Sequence, residues 1–198
     1  LLASTGIAFA QAPVVAEPGG ADIRIGVLSL DPRFGLSDVG VDTNVFATTE
    51  NPQRDFTATV SAGGDFWIRT GRGLLMLQGD TEYVHFDRFA SQRGLNTEAV
   101  VTYRWRLNRF TPFAWGETGD FNKRPNEEIV TRVHHRKAGY GAGADMRLGS
   151  RTTARLSWND RRTSFDESAT FEGNDLNTQL NQTLRTTEVA MRQRLTAL

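Results

Sequence analysis

Histidine, carboxylate and arginine are the side chains that could carry chemistry here, because the 198-residue chain has no cysteine. Disulfides, thiolate metal sites and thiol nucleophiles are therefore excluded. His134 and His135 are the one adjacent histidine pair. Neighbours on a strand point to opposite faces, so the two cannot chelate one metal, and they read as surface residues near a loop. His85 stands near Tyr83, with no serine or aspartate placed against it as a hydrolase would need. The chain is thus expected to be no enzyme, with no cofactor and no metal. Gly139-x-Gly141-x-Gly143 has the period of a strand, not the G-x-G-x-x-G spacing of a dinucleotide loop. Glycines on one strand face leave room for a plug, an inward loop or a bend. Asn159 to Asp175 carries Asp160, Asp166, Glu167, Glu172 and Asp175 without the spacing of a calcium loop, and reads as a solvated acidic loop.

Two charged sets remain. Arg104, Arg106, Arg147, Arg155, Arg192 and Arg194 share the polar phase of their segments, towards one end, while Gln78, Asp80 and Glu82 stand higher on a neighbouring one. Facing rows of opposite charge line diffusion pores and bias their selectivity. Paired with one another, the same rows would simply fill an interior. Which applies depends on the elements that carry them.

Those elements read as strands. Apolar residues recur at spacing two rather than three and four. Leu75, Leu77, Gly79, Thr81 and Tyr83 alternate with Gln78, Asp80 and Glu82; Ala99, Val101, Tyr103, Trp105 and Leu107 alternate with Glu98, Val100, Thr102, Arg104 and Arg106. Phe56 to Ile68, Lys137 to Leu148 and Ala154 to Asn159 alternate likewise. Tight connections at Thr70–Gly73, Asn108–Phe110 and Gly149–Arg151 alternate with long polar ones at Asp42–Arg54, Asp87–Asn96, Asp120–Thr131 and Thr163–Gln182. Eight strands are expected, centred near Gly35, Val60, Asp80, Tyr103, Trp115, Gly141, Leu156 and Ala190.

Long two-faced strands with short turns at one rim and long loops at the other fit an all-β, antiparallel up-and-down transmembrane β-barrel. The apolar phase would face lipid and the polar phase a wet lumen, which reconciles a membrane location with a mean hydropathy of −0.42. A soluble sandwich would have shorter strands and the apolar phase inside. Tyr83, Trp105, Trp115, Tyr140 and Trp158 are expected at the membrane interface. Trp67 falls in the polar phase and is expected to cap the lumen. Twenty-three basic against 23 acidic residues leave no cationic excess for nucleic acid. The longest aliphatic block, Leu74-Leu75-Met76-Leu77, is far too short for a membrane helix. Residues 1–12 (LLASTGIAFAQA) read as the remnant of a signal peptide with an Ala-x-Ala site ending at Ala10, the alternative being cleavage after Ala12, which Pro13 disfavours. Residues 13–30 read as a flexible lead and 31–198 as the barrel domain.

GLSDVGVDTNVF (Gly35 to Phe46), TGRGLLMLQGDTEYVHF (Thr70 to Phe86) and NDLNTQLNQTLRTTEVAMRQRLTAL (Asn174 to Leu198) resemble strands and loops of the β-barrel porin group of bacterial outer-membrane proteins. Some members of that group are linked to exopolysaccharide export. The resemblance spans most of residues 23–198, on loose patterns, and Ala197 stands where the group often has proline. It implies a Gram-negative outer membrane, a chain continuing past Leu198 into further strands, and a fragment of a larger barrel. Function is expected to be passive transport of small hydrophilic solutes through a porin-like channel, the alternative being a non-conducting structural or accessory barrel in polysaccharide export. Expected partners are outer-membrane lipid and those solutes, with self-association left open.

Overall fold

The computed structural model describes residues 21–46, 48, 51–123, 132–167, 170–171 and 174–194. The expected signal-peptide remnant lies outside them. The strands are β1 (Ile23–Ile25), β2 (Leu28–Asp42), β3 (Asp55–Thr70), β4 (Gly73–Phe86), β5 (Gly94–Trp105), β6 (Phe110–Lys123), β7 (Val133–Arg147) and β8 (Thr152–Phe165). A two-residue pair, β9 (Thr170–Phe171) and β10 (Asn174–Asp175), leads into helix α1 (Leu176–Leu180), and β11 (Gln182–Gln193) follows. Nine strands form one antiparallel up-and-down sheet in the order β1-β2-β3-β4-β5-β6-β7-β8-β11. The sheet is open, as a section of a barrel would be, with β2 and β11 as its long outer strands. The eight long strands are those expected from the sequence.

The two-residue period decides which residues share a face. The β4–β5 register sets Leu77 opposite Val101 and Leu75 opposite Tyr103 on one face, and Met76 opposite Thr102 and Asp80 opposite Glu98 on the other. Gly26 and Gly71 hold the tight turns at φ +59°, which a side chain would strain. Near the far end of β2, the register slips between Ser37 and Gly40, where Asp38 takes φ 52°. This bulge lets the outward apolar pattern resume at Val41, opposite Phe56.

The apolar face is the open one. Leu77 is 44 %, Val101 43 %, Tyr140 54 % and Leu156 58 % exposed. Elements pack along the sheet from neighbour to neighbour, with α1 resting on β8 and a short helical turn at Ala90–Gln92 on β4. No second sheet covers these residues among those described, so the arrangement is not a sandwich. The polar face is the sheltered side: Thr102, Ser157 and Asn159 are buried on it.

Small apolar clusters seal the rims. Val45, Val84 and Phe86, with Phe46 and Phe89, gather at the long-loop rim, and Trp67, Leu74 and Met76 at the tight-turn rim. Asp55 pins the loop after β4: its carboxylate accepts the backbone N–H groups of Phe56 at 2.8 Å and of Arg88 and Phe89 at 2.9 Å. Burial pushes that carboxyl up, but the N–H donors outweigh it and hold it below the ordinary carboxylate range. Helix α1 is capped by Asp175, which accepts from the Asn177 N–H, and is tied to the end of β8. Asn177 Nδ2 donates to the Phe165 carbonyl at 2.6 Å, and Asn181 Oδ1 accepts the Phe165 N–H at 2.7 Å.

Two boundaries are corrected. Residues 23–30 are not a flexible lead: Ile23 to Ile25 pair with Leu28 to Leu30, and Leu28 pairs on with Ile68. The strands also climb further towards the long loops than expected, to Lys123 and Phe165, and β5 begins at Gly94. Outward positions turn polar there while the inward ones carry Phe121, Val133 and Phe165, so the apolar phase switches face while the backbone ladder continues.

Candidate functional site

The polar face of β2 to β5 concentrates carboxylates. Asp31 lies directly opposite Asp65, and Asp80 directly opposite Glu98. Like charges so placed cost a sheet stability. Arg33 spans them, 3.2 Å from Asp65 and 3.4 Å from Asp80. Gln78 Nε2 donates to Asp65 at 3.3 Å, and Asn96 Nδ2 donates to Glu82 at 3.1 Å. The Asp80 side chain keeps 64 % of its surface open.

On β5 to β11 the face is mixed and its mid-wall charges are paired. Asp145 accepts from Arg104 at 2.8 Å, reaching across β6, and from Arg155 at 2.7 Å. Arg161 stands 2.8 Å from Glu117 and lies 4.9 Å above the Trp115 ring. The Arg155 guanidinium lies 5.5 Å above Phe113. Arg147 and Arg192 are exposed on the same face near the tight turns; Arg106 sits in the turn after β5, and Arg194 stands just past β11.

The glycine stripe explains how large rings fit on this face. Gly139, Gly141 and Gly143 lie opposite Glu117, Trp115 and Phe113. A Cβ on Gly141 would stand 2.7 Å from Trp115 Nε1, and one on Gly143 2.6 Å from the Phe113 ring. The recess is filled by side chains of β6, not by a plug, an inward loop or a bend. Trp115 is accordingly corrected: it lies on the polar face, 5 % exposed, and not at an outward interface position. Tyr83, Trp105, Tyr140 and Trp158 are exposed on the apolar face, where Tyr140 and Trp158 meet edge to face at 5.7 Å. Trp67 lies on the polar face and is buried.

Arg33, Glu117 and Arg161 were not singled out from the sequence, although the strand phase assigns all three to the polar face. The pairings of Arg33 and Arg104 reach two strands across and need the register.

The histidine pair is more than ordinary surface. Outward apolar positions on β6 and β7 end at Thr118 and Ala138, and Asp120, Arg136 and His134 stand beyond them. His134 bridges two carboxylates: Nε2 meets Asp120 at 2.5 Å and Nδ1 meets Asp166 at 2.8 Å. Asp120 also accepts from Arg136 at 3.2 Å. The hydrogen bond to Asp166, then the Asp120 contacts, hold the imidazole above its ordinary pKa against the opposing effect of burial. His135 turns inward and stacks between Phe121 and Phe165, with centroids at 5.3 and 5.1 Å. Burial there pushes its pKa down, favouring the neutral ring.

The acidic segment is likewise no single solvated loop. Asp160 is on β8, paired with Arg185 at 2.8 Å and Arg162 at 3.4 Å. Asp166 holds His134 and Asp175 caps α1, while Glu172 lies outside the described residues. No protein-family model, curated protein or solved structure matches the chain.

Gly141→Ala is expected to lever Trp115 off the sheet and destabilise the fold by about 1–3 kcal/mol through overpacking. A red-shifted tryptophan emission with a lower unfolding midpoint would support this; unchanged emission and midpoint would refute the recess. His134 has a raised folded pKa, so its contribution is complete below the unfolded value of about 6.5 and fades as pH rises through the folded value. The segment after β8 should therefore be held most tightly in mild acid. Amide exchange at residues 174–181, corrected for intrinsic rate, should show protection falling as pH rises. His134→Asn should erase that pH dependence, and its persistence in the variant would exclude the bridge as its cause.

Proposed function

We propose that the chain forms part of an outer-membrane β-barrel acting as a passive channel for small hydrophilic solutes. The observation that carries this reading is the inversion of the faces: one sheet with its apolar face bare and its charged face sheltered. In water, the exposed Phe34, Leu36, Val60, Leu77, Val101, Leu156 and Val189 would need covering, and hydrocarbon covers them without a second layer. The long strands have 12 to 16 residues, more than the roughly 9–11 needed to cross a bilayer at a tilt. The backbone ladder satisfies the polar groups that lipid cannot. Closure requires the edge made by β1 and the rest of β2, and the edge of β11, to find partner strands, which fits a barrel larger than these nine strands.

In this reading the polar face lines the lumen. The carboxylates of β2 to β5 form a cation-favouring stretch of wall, and the exposed arginines near the tight turns an anion-favouring one. Small ions and uncharged hydrophilic solutes pass such a wall by diffusion, with charge tuning the preference.

Conductance across a planar bilayer tests this. Discrete open currents are expected, and no current at any voltage would reject the channel in favour of a non-conducting accessory barrel. Asp80→Lys should move the reversal potential towards anion preference, and Arg106→Glu towards cation preference. Selectivity unchanged in both would remove these residues from the pore wall.

A further inference from the structure

Charge is divided sharply between the two rims of the sheet. At the tight-turn rim, residues 24–29, 69–74, 104–111, 146–153 and 192–194 hold nine exposed arginines and no carboxylate. Arg72, Arg106, Arg109 and Arg151 are in the turns themselves and Arg194 stands just past β11, while Arg24, Arg69, Arg147 and Arg192 are on the adjoining strand ends in the polar phase. The opposite rim is mixed, with Asp42, Asp87, Asp166, Glu167 and Asp175 among its described residues. The basic residues here are all arginine, as are all in the chain but Lys123 and Lys137. A guanidinium differs from an ammonium in presenting a planar fork that binds a phosphate by two parallel hydrogen bonds.

The arginines also stand at a defined depth. Ile68, Trp105, Phe110, Met146 and Leu148 are exposed on the apolar face at this same rim, each within three residues of a turn arginine or next to one on a strand end. The end of the apolar face and the start of the arginines therefore coincide. Resting on the barrel reading above, this places the guanidinium groups level with lipid headgroups.

We propose that the tight-turn rim is a binding belt for anionic phospholipid headgroups of the leaflet it faces. Arginines at the turn tips would contact phosphate oxygens while the neighbouring aromatic and aliphatic side chains remain among acyl chains. The belt would fix how deep the barrel sits and which rim faces which leaflet.

The test uses the full-length protein that contains these strands, with vesicles of phosphatidylcholine alone and of phosphatidylcholine with a quarter phosphatidylglycerol, at low and high salt. Flotation reads the bound fraction, and protease protection reads strand insertion. Phosphatidylglycerol is expected to raise binding by about tenfold at low salt, with most of the gain lost at high salt. R72Q/R109Q/R151Q should insert into phosphatidylcholine like the unaltered chain but lose most of that gain. R54Q/R88Q/K123Q, at the opposite rim, should keep it. Protected strands with no phosphatidylglycerol gain, or a gain equally lost in both triple variants, would overturn the belt while leaving the barrel standing. Absence of protected strands in either vesicle would overturn the barrel reading and the belt with it. Polyglutamate binding the inserted chain more tightly than the anionic vesicles, through the same three arginines, would replace lipid by an acidic partner.

Discussion

The structure depends on backbone pairing that runs, with one bulge in β2, through a sheet with nothing laid on its apolar side among the described residues. Every long strand finds its hydrogen bonds in its neighbours, and side-chain burial is secondary. A globular domain works the other way, with apolar surface gathered inwards as the main driving force. Here the large sheltered side chains Phe86 and Met76 are on the charged face, and the clusters that do exclude water are small, set at the rims and, mid-wall, at Phe113 and Trp115. The ladder therefore carries the fold, and the surroundings of the bare face determine whether it is comfortable.

That constraint organises the charged face. Because each strand fixes alternate residues inward, charge can be placed there without regard to a core. On β2 to β5 this freedom brings carboxylates opposite one another, bridged by Arg33. On β5 to β11 it yields Asp145 between two arginines and Arg161 over Trp115. At the long-loop rim, His134 and His135 show one sequence step dividing two environments: the outward ring between carboxylates, the inward ring between phenylalanines.

Much of the architecture was legible in the sequence, because a period of two survives any neighbour. The eight long strands, their tight and long connections and the two faces follow from positions such as Leu77, Val101 and Leu156 set against Asp80, Arg104 and Arg155. Strand ends were less legible, since Asp120 to Lys123 and Thr163 to Phe165 are not cleanly alternating and only the ladder extends them. Short-range pattern also missed the lead, where Gly26 turns Ile23–Ile25 back onto β2. The candidate site was half legible. Phase assigns Gln78, Asp80, Glu82, Arg104 and Arg155 to one face, but Arg33 meeting Asp80 requires knowing which strands lie side by side. Trp115 was misplaced because its aromatic type suggested an interface, while its phase and the glycines opposite it dictate the other face.

The glycine stripe on β7 carries a consequence for any passage bounded by this wall. The rings of Phe113 and Trp115 sit in the recess that Gly141 and Gly143 leave and are almost fully buried, so they take little of the bore. What projects further is arginine and carboxylate tips on rotatable stems. A permeating molecule would then meet a boundary that yields to its bulk more readily than to its charge.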